Sequence, residues 1–432
     1  MQRTHTRLVP VLGALSLAVL AGCGTSNNST GGTGSSGGGG LNGCVGTVSL
    51  ATDLPVSGSD ASDGKPTENG AKLAIDQANN SKLLGGCTVK FVPKDDASVA
   101  LGKHDPQQGA QNITELAGDA SVLGVVGPFN SSVAKSEMPI ANRANLVLIS
   151  PANTNPGLTI VGSNPDIDTN SLRPAGTITY FRVCTTDIGQ GKADAQTAYT
   201  TLGAKKAYVI DDQETYGKGL ADQFQKFYTG LGGTVAKRVS LPGDTKDFSA
   251  QLTEAKGLSV DVIFFGGTSS NGGGIIKKQM ASAGLSGVKY VGGDGIVDDE
   301  FFTEAGATGA EGAYGSVAAP DPTKLATAAK FVSDYKAAFS ADPGAYSANA
   351  YDAMNVLLLA VKKAISDNGG KLLSSGTTFR EAVRKDVAAT SLDGAIGHTS
   401  FDANGDTTNV LLTIFVAHGG KWTYSSTVKT TV

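Results

Sequence analysis

From residue 45 onward, short apolar runs alternate with longer segments whose apolar residues recur at helical spacing. Residues 45–50 and 88–92 read as strands. Between them, residues 53–66 form a Gly/Ser/Asp/Pro loop, and residues 69–79 place Ala71, Ala74, Ile75 and Ala78 on one helical face. Residues 107–117 do the same with Ala110, Ile113 and Ala117. Residues 122–158 then read as strand, loop, helix, strand, loop. This βαβαβαβ pattern predicts a parallel, doubly wound sheet with right-handed crossovers. Residues 156–174 read as a loop or short ribbon, and residues 180–184 as a strand running into Thr185, Thr186 and Asp187.

A second alternation follows. Helices are predicted over 192–202, 219–231, 248–256 and 274–283, and strands over 207–210, 235–241, 260–265 and 290–291. The remainder reads as helices over 325–339, 347–366 and 378–387 with strands over 410–416 and 421–425. These are too few strands for a third domain, so the tail is expected to return and complete the first two. The fold class is therefore α/β, two doubly wound parallel-sheet lobes, with several chain crossings acting as a hinge.

The first residues change the picture of where the chain works. Arg3, His5 and Arg7 precede a short apolar run, 8–20, and then Ala21, Gly22 and Cys23. That is a secretory signal (1–22), too short to span a membrane. Leu20-Ala21-Gly22-Cys23 resembles the bacterial lipobox, in which the Cys becomes the lipidated first residue. Cleavage with Cys23 left plain is the other reading. Residues 23–43, rich in Gly and Ser, form a tether spanning roughly 25 Å as a random coil. Export places the folded part in an oxidising compartment. Cys44 and Cys87 each precede a strand-like run, and a disulfide follows if those strands are parallel neighbours. It would constrain the unfolded chain by roughly 3–5 kcal/mol. Cys184 is expected to be a buried thiol.

Composition excludes more than it selects. The net charge is −4, and it becomes two units more negative once Arg3 and Arg7 are removed. No basic footprint for nucleic acid remains. There is no HExxH, CxxC, Gly-rich phosphate loop or nucleophile elbow. His104, His398 and His418 are scattered among Gly and polar residues. The carboxylate pairs Asp95-Asp96 and Asp211-Asp212 sit at strand ends, where Asp ordinarily serves turns and caps. No cofactor or metal is expected.

Binding is better supported than catalysis. Two parallel strands end side by side, one in Gly127-Pro128 followed by Asn130, Ser131 and Ser132, the other in Ser150-Pro151-Ala152-Asn153-Thr154. Ligands of open α/β sheets sit beyond the carboxyl ends of strands, and a helix N-terminus suits an anion. Ordinary βα turns use the same residues. In the second unit, Tyr216, Thr268 and Asp294 fall at corresponding ends. Hydroxyls on one lobe and a carboxylate with an aromatic on the other would suit a zwitterion.

At this point the chain resembles the substrate-binding proteins of branched-chain amino acid ABC transporters, the leucine/isoleucine/valine-binding family. The resemblance runs from about Val45 to Thr423. It rests on Val126-Gly127-Pro128 with Ser131-Ser132, on the run from Ile149 to Thr159, on Tyr216-Gly217-Lys218-Gly219, on Asp247-Phe248, on Gly309-Ala310-Glu311-Gly312 and on the run from Gly397 to Asp406. It implies the type I periplasmic-binding-protein fold, with lobe one at 44–186 plus 321–411 and lobe two at 187–320 plus 412–432. It implies a ligand carboxylate held by Ser131, Ala152 (backbone) and Thr154, and an ammonium held by Asp294 with Tyr216. Asn130, Thr268 and Asp187 complete the candidate ligand-binding set. An amino acid, permease subunits and the membrane, through a lipid on Cys23, are the implied partners, at the outer face of the cytoplasmic membrane or in the periplasm. A sensor for amides or related solutes would present the same cleft.

Three departures leave the ligand's side chain open. Asp294 stands where the family often has Glu, and Thr268 where it often has Tyr. Asp60 and Asp63 occupy the loop that often carries a closing aromatic.

Overall fold

The computed structural model describes residues 41–430, which belong to one compact unit. The signal segment, Cys23 and most of the tether lie outside the described residues. The tether's last three residues, Leu41–Gly43, form a 3-10 turn, and Leu41 packs against the first core.

In chain order the first lobe is β1 (Gly46–Leu54), α1 (Ala61–Asn80), β2 (Cys87–Asp95), a ribbon of β3 (Ala97–Ser98) with β4 (Lys103–His104), α2 (Pro106–Gly118), β5 (Val122–Val126), α3 (Ser131–Arg143), β6 (Val147–Ser150) and β7 (Tyr180–Arg182). The five long strands form one parallel sheet in the order β2-β1-β5-β6-β7. β5 and β6 are wholly buried, because helices cover both faces. A disulfide joins Cys44 to Cys87, whose Cα atoms lie 5.2 Å apart.

The second lobe continues with α4 (Asp187–Gln196), β8 (Lys206–Asp211), α5 (Thr215–Gly230), β9 (Thr234–Ser240), α6 (Ser249–Gly257), β10 (Val262–Gly266), α7 (Gly273–Ser282), β11 (Lys289–Gly292), α8 (Asp299–Ala305), α9 (Ala307–Ala310) and β12 (Ala313–Val317). Then come α10 (Ala329–Phe339), α11 (Ser347–Asp367), α12 (Gly376–Ala388), the ribbon β13 (Leu392–Gly394) with β14 (Gly397–Thr399), β15 (Leu411–His418) and β16 (Lys421–Lys429). The second sheet has the order β16-β15-β12-β11-β10-β8-β9, with β15 and β16 antiparallel to their neighbours.

The chain thus passes between the sheets three times, after β7, after β12 and before β15. The crossings are bonded to one another: Thr185 N donates to Ala318 O (2.9 Å), and Thr413 Oγ1 donates to Ala319 O (3.0 Å). α11 is apolar almost all round and packs against α1 in the first core. Gly70 permits this approach, since a Cβ there would lie 2.0 Å from the Ser347 carbonyl.

Several elements differ from the sequence expectation. α1 starts at Ala61, inside the expected loop 53–66, and runs through Pro66. That proline forfeits one bond, to the Ser62 carbonyl in the second turn. Gly64 packed on the Pro55 backbone and Thr67 Oγ1 donating to Asp63 O (2.7 Å) hold the turn. α4 starts at Asp187 rather than 192, and of the two readings of residues 156–174 it is the loop, with two 3-10 turns, that the structure holds. β12, Ala-Tyr-Gly-Ser-Val, carries too little apolar patterning to be read, yet it is an interior strand of its sheet, between β11 and β15.

Candidate functional site

Seven of the eight predicted ligand-binding residues line one cavity between the two sheets. Asn130, Ser131, Ala152 and Thr154 come from the first, Tyr216, Thr268 and Asp294 from the second, and Phe129 and Gly295 complete it. The eighth, Asp187, is not in the lining. It opens α4 behind Thr154, whose carbonyl accepts from its N–H (2.8 Å).

The first face is built on two strand ends. α3 begins at Ser131, and its first intrahelical bond runs from Ala134 N to Asn130 O (3.0 Å). The N–H groups of Ser131, Ser132 and Val133 therefore have no intrahelical acceptor. The second strand end is held from below. Ser150 Oγ donates to Pro128 O (2.7 Å) and accepts from Asn153 N (2.9 Å) and, more weakly, Ala152 N (3.2 Å). Tyr180 donates to Asn153 Oδ1 (2.7 Å). Arg182, wholly buried, donates to the carbonyls of Asn153 and Asn155 (2.9 Å each), and its Nε bonds Asp406 Oδ1 (2.6 Å). So the Gly397–Asp406 motif serves this loop from a distance rather than the cavity.

With the loops fixed, the hydroxyls of Ser131 and Thr154 are buried and have no partner, nor has Asn130 Oδ1. A buried polar group without a partner is costly. The two hydroxyls can donate into the cavity, whereas the Asn130 oxygen can only accept.

The opposite face centres on Asp294. Its Oδ1 accepts from Tyr216 (2.8 Å) and Gln190 Nε2 (2.7 Å), and its Oδ2 accepts from Tyr346 (2.7 Å). Burial raises its carboxyl above the ordinary value, while the two tyrosines and Gln190 pull it back. Gln190 and Tyr346 were not legible in the sequence, since each reaches Asp294 from a remote element. Tyr346 also meets Phe129 edge to face, centroids 5.5 Å apart.

The loop of Asp60 and Asp63, one of the three departures from the family pattern, holds an ion pair of its own. Burial alone would raise Asp60, but the charge and hydrogen bonds of His104 outweigh it and hold Asp60 at about 2. The pair is closed, with His104 N at 3.0 Å and its ring Nδ1 at 2.5 Å from Asp60 Oδ2. A larger cavity of about 550 Å³, lined by Ser62, Asp63, Asp298 and Trp422 among others, contains none of the predicted site residues.

Two doubly wound sheets joined by three crossings, with a polar cavity between them, define a two-lobed binding protein. Residues 47–421 match the periplasmic binding protein family, and the chain belongs to that family. It is 29% identical over 377 residues to the Leu/Ile/Val-binding protein BraC3 of Rhizobium johnstonii, covering 87% of this chain and 92% of that one. It is 31% identical over 321 residues to Leu/Ile/Val-binding protein homolog 1 of Brucella suis, covering 74% and 80%. Among solved structures it is similar to the branched-chain amino acid transporter substrate-binding protein LivJ of Streptococcus pneumoniae in complex with isoleucine. That match has a TM-score of 0.75 and 27% identity, over 89% of this chain and 99% of that one. These relatives are binding proteins. No helix among the described residues is long and apolar enough to cross a membrane.

Proposed function

We propose that this chain captures an α-amino acid between its lobes and delivers it to an ABC permease. The observation that carries the reading is the unpartnered pair of hydroxyls, Ser131 and Thr154, facing the carboxylate of Asp294 across one cavity. The first face offers donors and a helix N-terminus to the ligand carboxylate. Asp294 offers a negative charge to the ammonium, with Tyr216 beside it. The relatives named for leucine, isoleucine and valine support an aliphatic side chain.

The cavity is about 20 Å³, room for about one water, so entry of an amino acid requires the lobes to part. The lobes are 44–186 plus 321–411 and 187–320 plus 412–432. Asp187 acts from behind Thr154, as support for that loop. A lipid on Cys23 and the Gly/Ser tether hold the protein at the outer face of the membrane, within reach of the permease. The ligand leaves unchanged, so no catalysis is involved.

Calorimetric titration tests this with leucine, isoleucine and valine against leucinol, which lacks the carboxylate, and isovalerate, which lacks the ammonium. Binding of the amino acids and failure of both analogues is expected. Asp294→Ala is expected to weaken amino-acid binding by about a hundredfold or more, the scale of leaving one buried charge unpaired. Unchanged affinity in that variant would remove Asp294 from the ammonium site.

A further inference from the structure

The cleft leaves a second group of acids in the first lobe unexplained. Asp53 lies near the end of β1, Asp96 just beyond β2, and Glu137 in the second turn of α3. All three are wholly buried. One carboxylate oxygen from each lies within 4.8 Å of the other two. Asp53 Oδ1 accepts from Asn112 Nδ2 (2.8 Å). The other five oxygens, Asp53 Oδ2 and both of Asp96 and of Glu137, accept from no donor outside the cluster, and the Asp53 and Glu137 carboxyls lie close enough to share a proton. Lys94, whose charge reaches Asp53, holds its ammonium 2.5 Å from Glu115 at the surface.

Three buried carboxylates need a positive partner. An all-oxygen set excludes the soft-ligand metals and suits hard cations. The spacing matches an ion bound at about 2.3–2.6 Å, since ligands on opposite sides of it lie up to about twice that apart. Calcium takes six to eight oxygens and accepts bidentate carboxylates, whereas magnesium keeps several waters. We propose that Asp53, Asp96 and Glu137 bind one divalent cation, with Ca²⁺ the best fit. Asp53 and Asp96 end neighbouring strands, and Glu137 lies six residues beyond Ser131 on the same helix. The ion would pin α3, and so the donor face of the cleft, to the strand ends.

Shared protons are the competing occupant, because burial pushes Asp53 up to about 7 and raises Asp96 and Glu137 as well. The full chain, stripped with EDTA and dialysed, is titrated with Ca²⁺, Mg²⁺ or Mn²⁺ at ionic strength held constant with KCl. Melting temperature is followed, and metal content is measured after removal of excess ion. A saturable rise of several degrees with one bound ion per chain is expected. Asp96→Asn and Glu137→Gln should each lose the rise, while Ser131→Ala keeps it. Three results would overturn the site: a wild-type chain insensitive to millimolar amounts of every cation, variants that respond as wild type does, or variants that melt higher in EDTA beside an insensitive wild type. The last would assign the cluster to protons. If neither variant folds, the wild-type titration and metal content decide alone.

Discussion

Asp187 shows how position, rather than residue type, sets the behaviour of a side chain here. Its carboxylate is wholly buried behind the Thr154 loop and makes no hydrogen bond of normal geometry, and burial pushes it up to about 8 against a weaker pull from the nearby Thr154 hydroxyl. Between the ordinary aspartate value and about 8 the folded state holds a proton that the unfolded chain has lost. Stability from this residue therefore falls as pH rises through that window. Asp187→Asn, neutral throughout, should melt with a shallower decline than wild type between about pH 5 and 8, as read by thermal melts in matched buffers. Equal slopes would mean that the group does not titrate there. Ser131 and Thr154 were legible from sequence because strand ends advertise binding loops. Nothing local distinguishes Asp187 inside the cavity from Asp187 behind it.

At the level of elements, the disulfide ties the starts of β1 and β2, which pair in register with Gly46 opposite Cys87. The bond closes a segment of sequence separation 43 that contains α1. On loop entropy it contributes roughly 4 kcal/mol. Reduction, or the double change Cys44→Ser with Cys87→Ser, should lower the urea midpoint and steepen the slope, because the unfolded chain without the crosslink exposes more surface; an unchanged midpoint would show that the sheet alone orders these strands. β1, β2 and α11 were legible from their apolar pattern. The first turns of α1 were not, because Gly64 and Pro66 argue locally for a loop and only packing against Pro55 and α11 overrides them. β12 was hidden for the opposite reason. Its small residues, including Gly315 against Val297 and Trp422, suit a crowded central position rather than an apolar stripe.

For the whole molecule, the cavity exists only because the two faces meet. Contacts that fasten them include Tyr346 donating to Asp294 (2.7 Å), Asn155 Nδ2 donating to Thr215 O (2.6 Å), Lys218 paired with Asp166 (2.5 Å), and Lys103 donating to Asn271 Oδ1 (2.5 Å). Tyr346 precedes α11, which belongs to the first core, yet packs among second-lobe residues. Tyr346→Phe removes a hydrogen bond to a carboxylate, about 1.5–3 kcal/mol, or about ten- to a hundredfold in affinity. Calorimetry should show that loss for amino acids, with melting temperature little changed. Small-angle scattering should show the wild-type chain shrinking on ligand addition and Tyr346→Phe shrinking less. Identical scattering with and without ligand would exclude lobe closure.

The alternation of apolar runs and helical faces by itself determined two sheets with parallel βα units, the crossings between them and the polar loops at strand ends, because each of those depends on local periodicity and chain direction; the antiparallel setting of β15 and β16 came only with the tertiary structure. Tertiary structure alone decided which loops face each other and what reaches in from afar. Gln190 and Tyr346 meet at Asp294 from positions 104 and 52 residues away. Arg182 and Asp406 lock a loop across 224 residues. Asp53, Asp96 and Glu137 converge from two strands and a helix. Such meetings depend on packing in three dimensions, and no spacing along the chain records them.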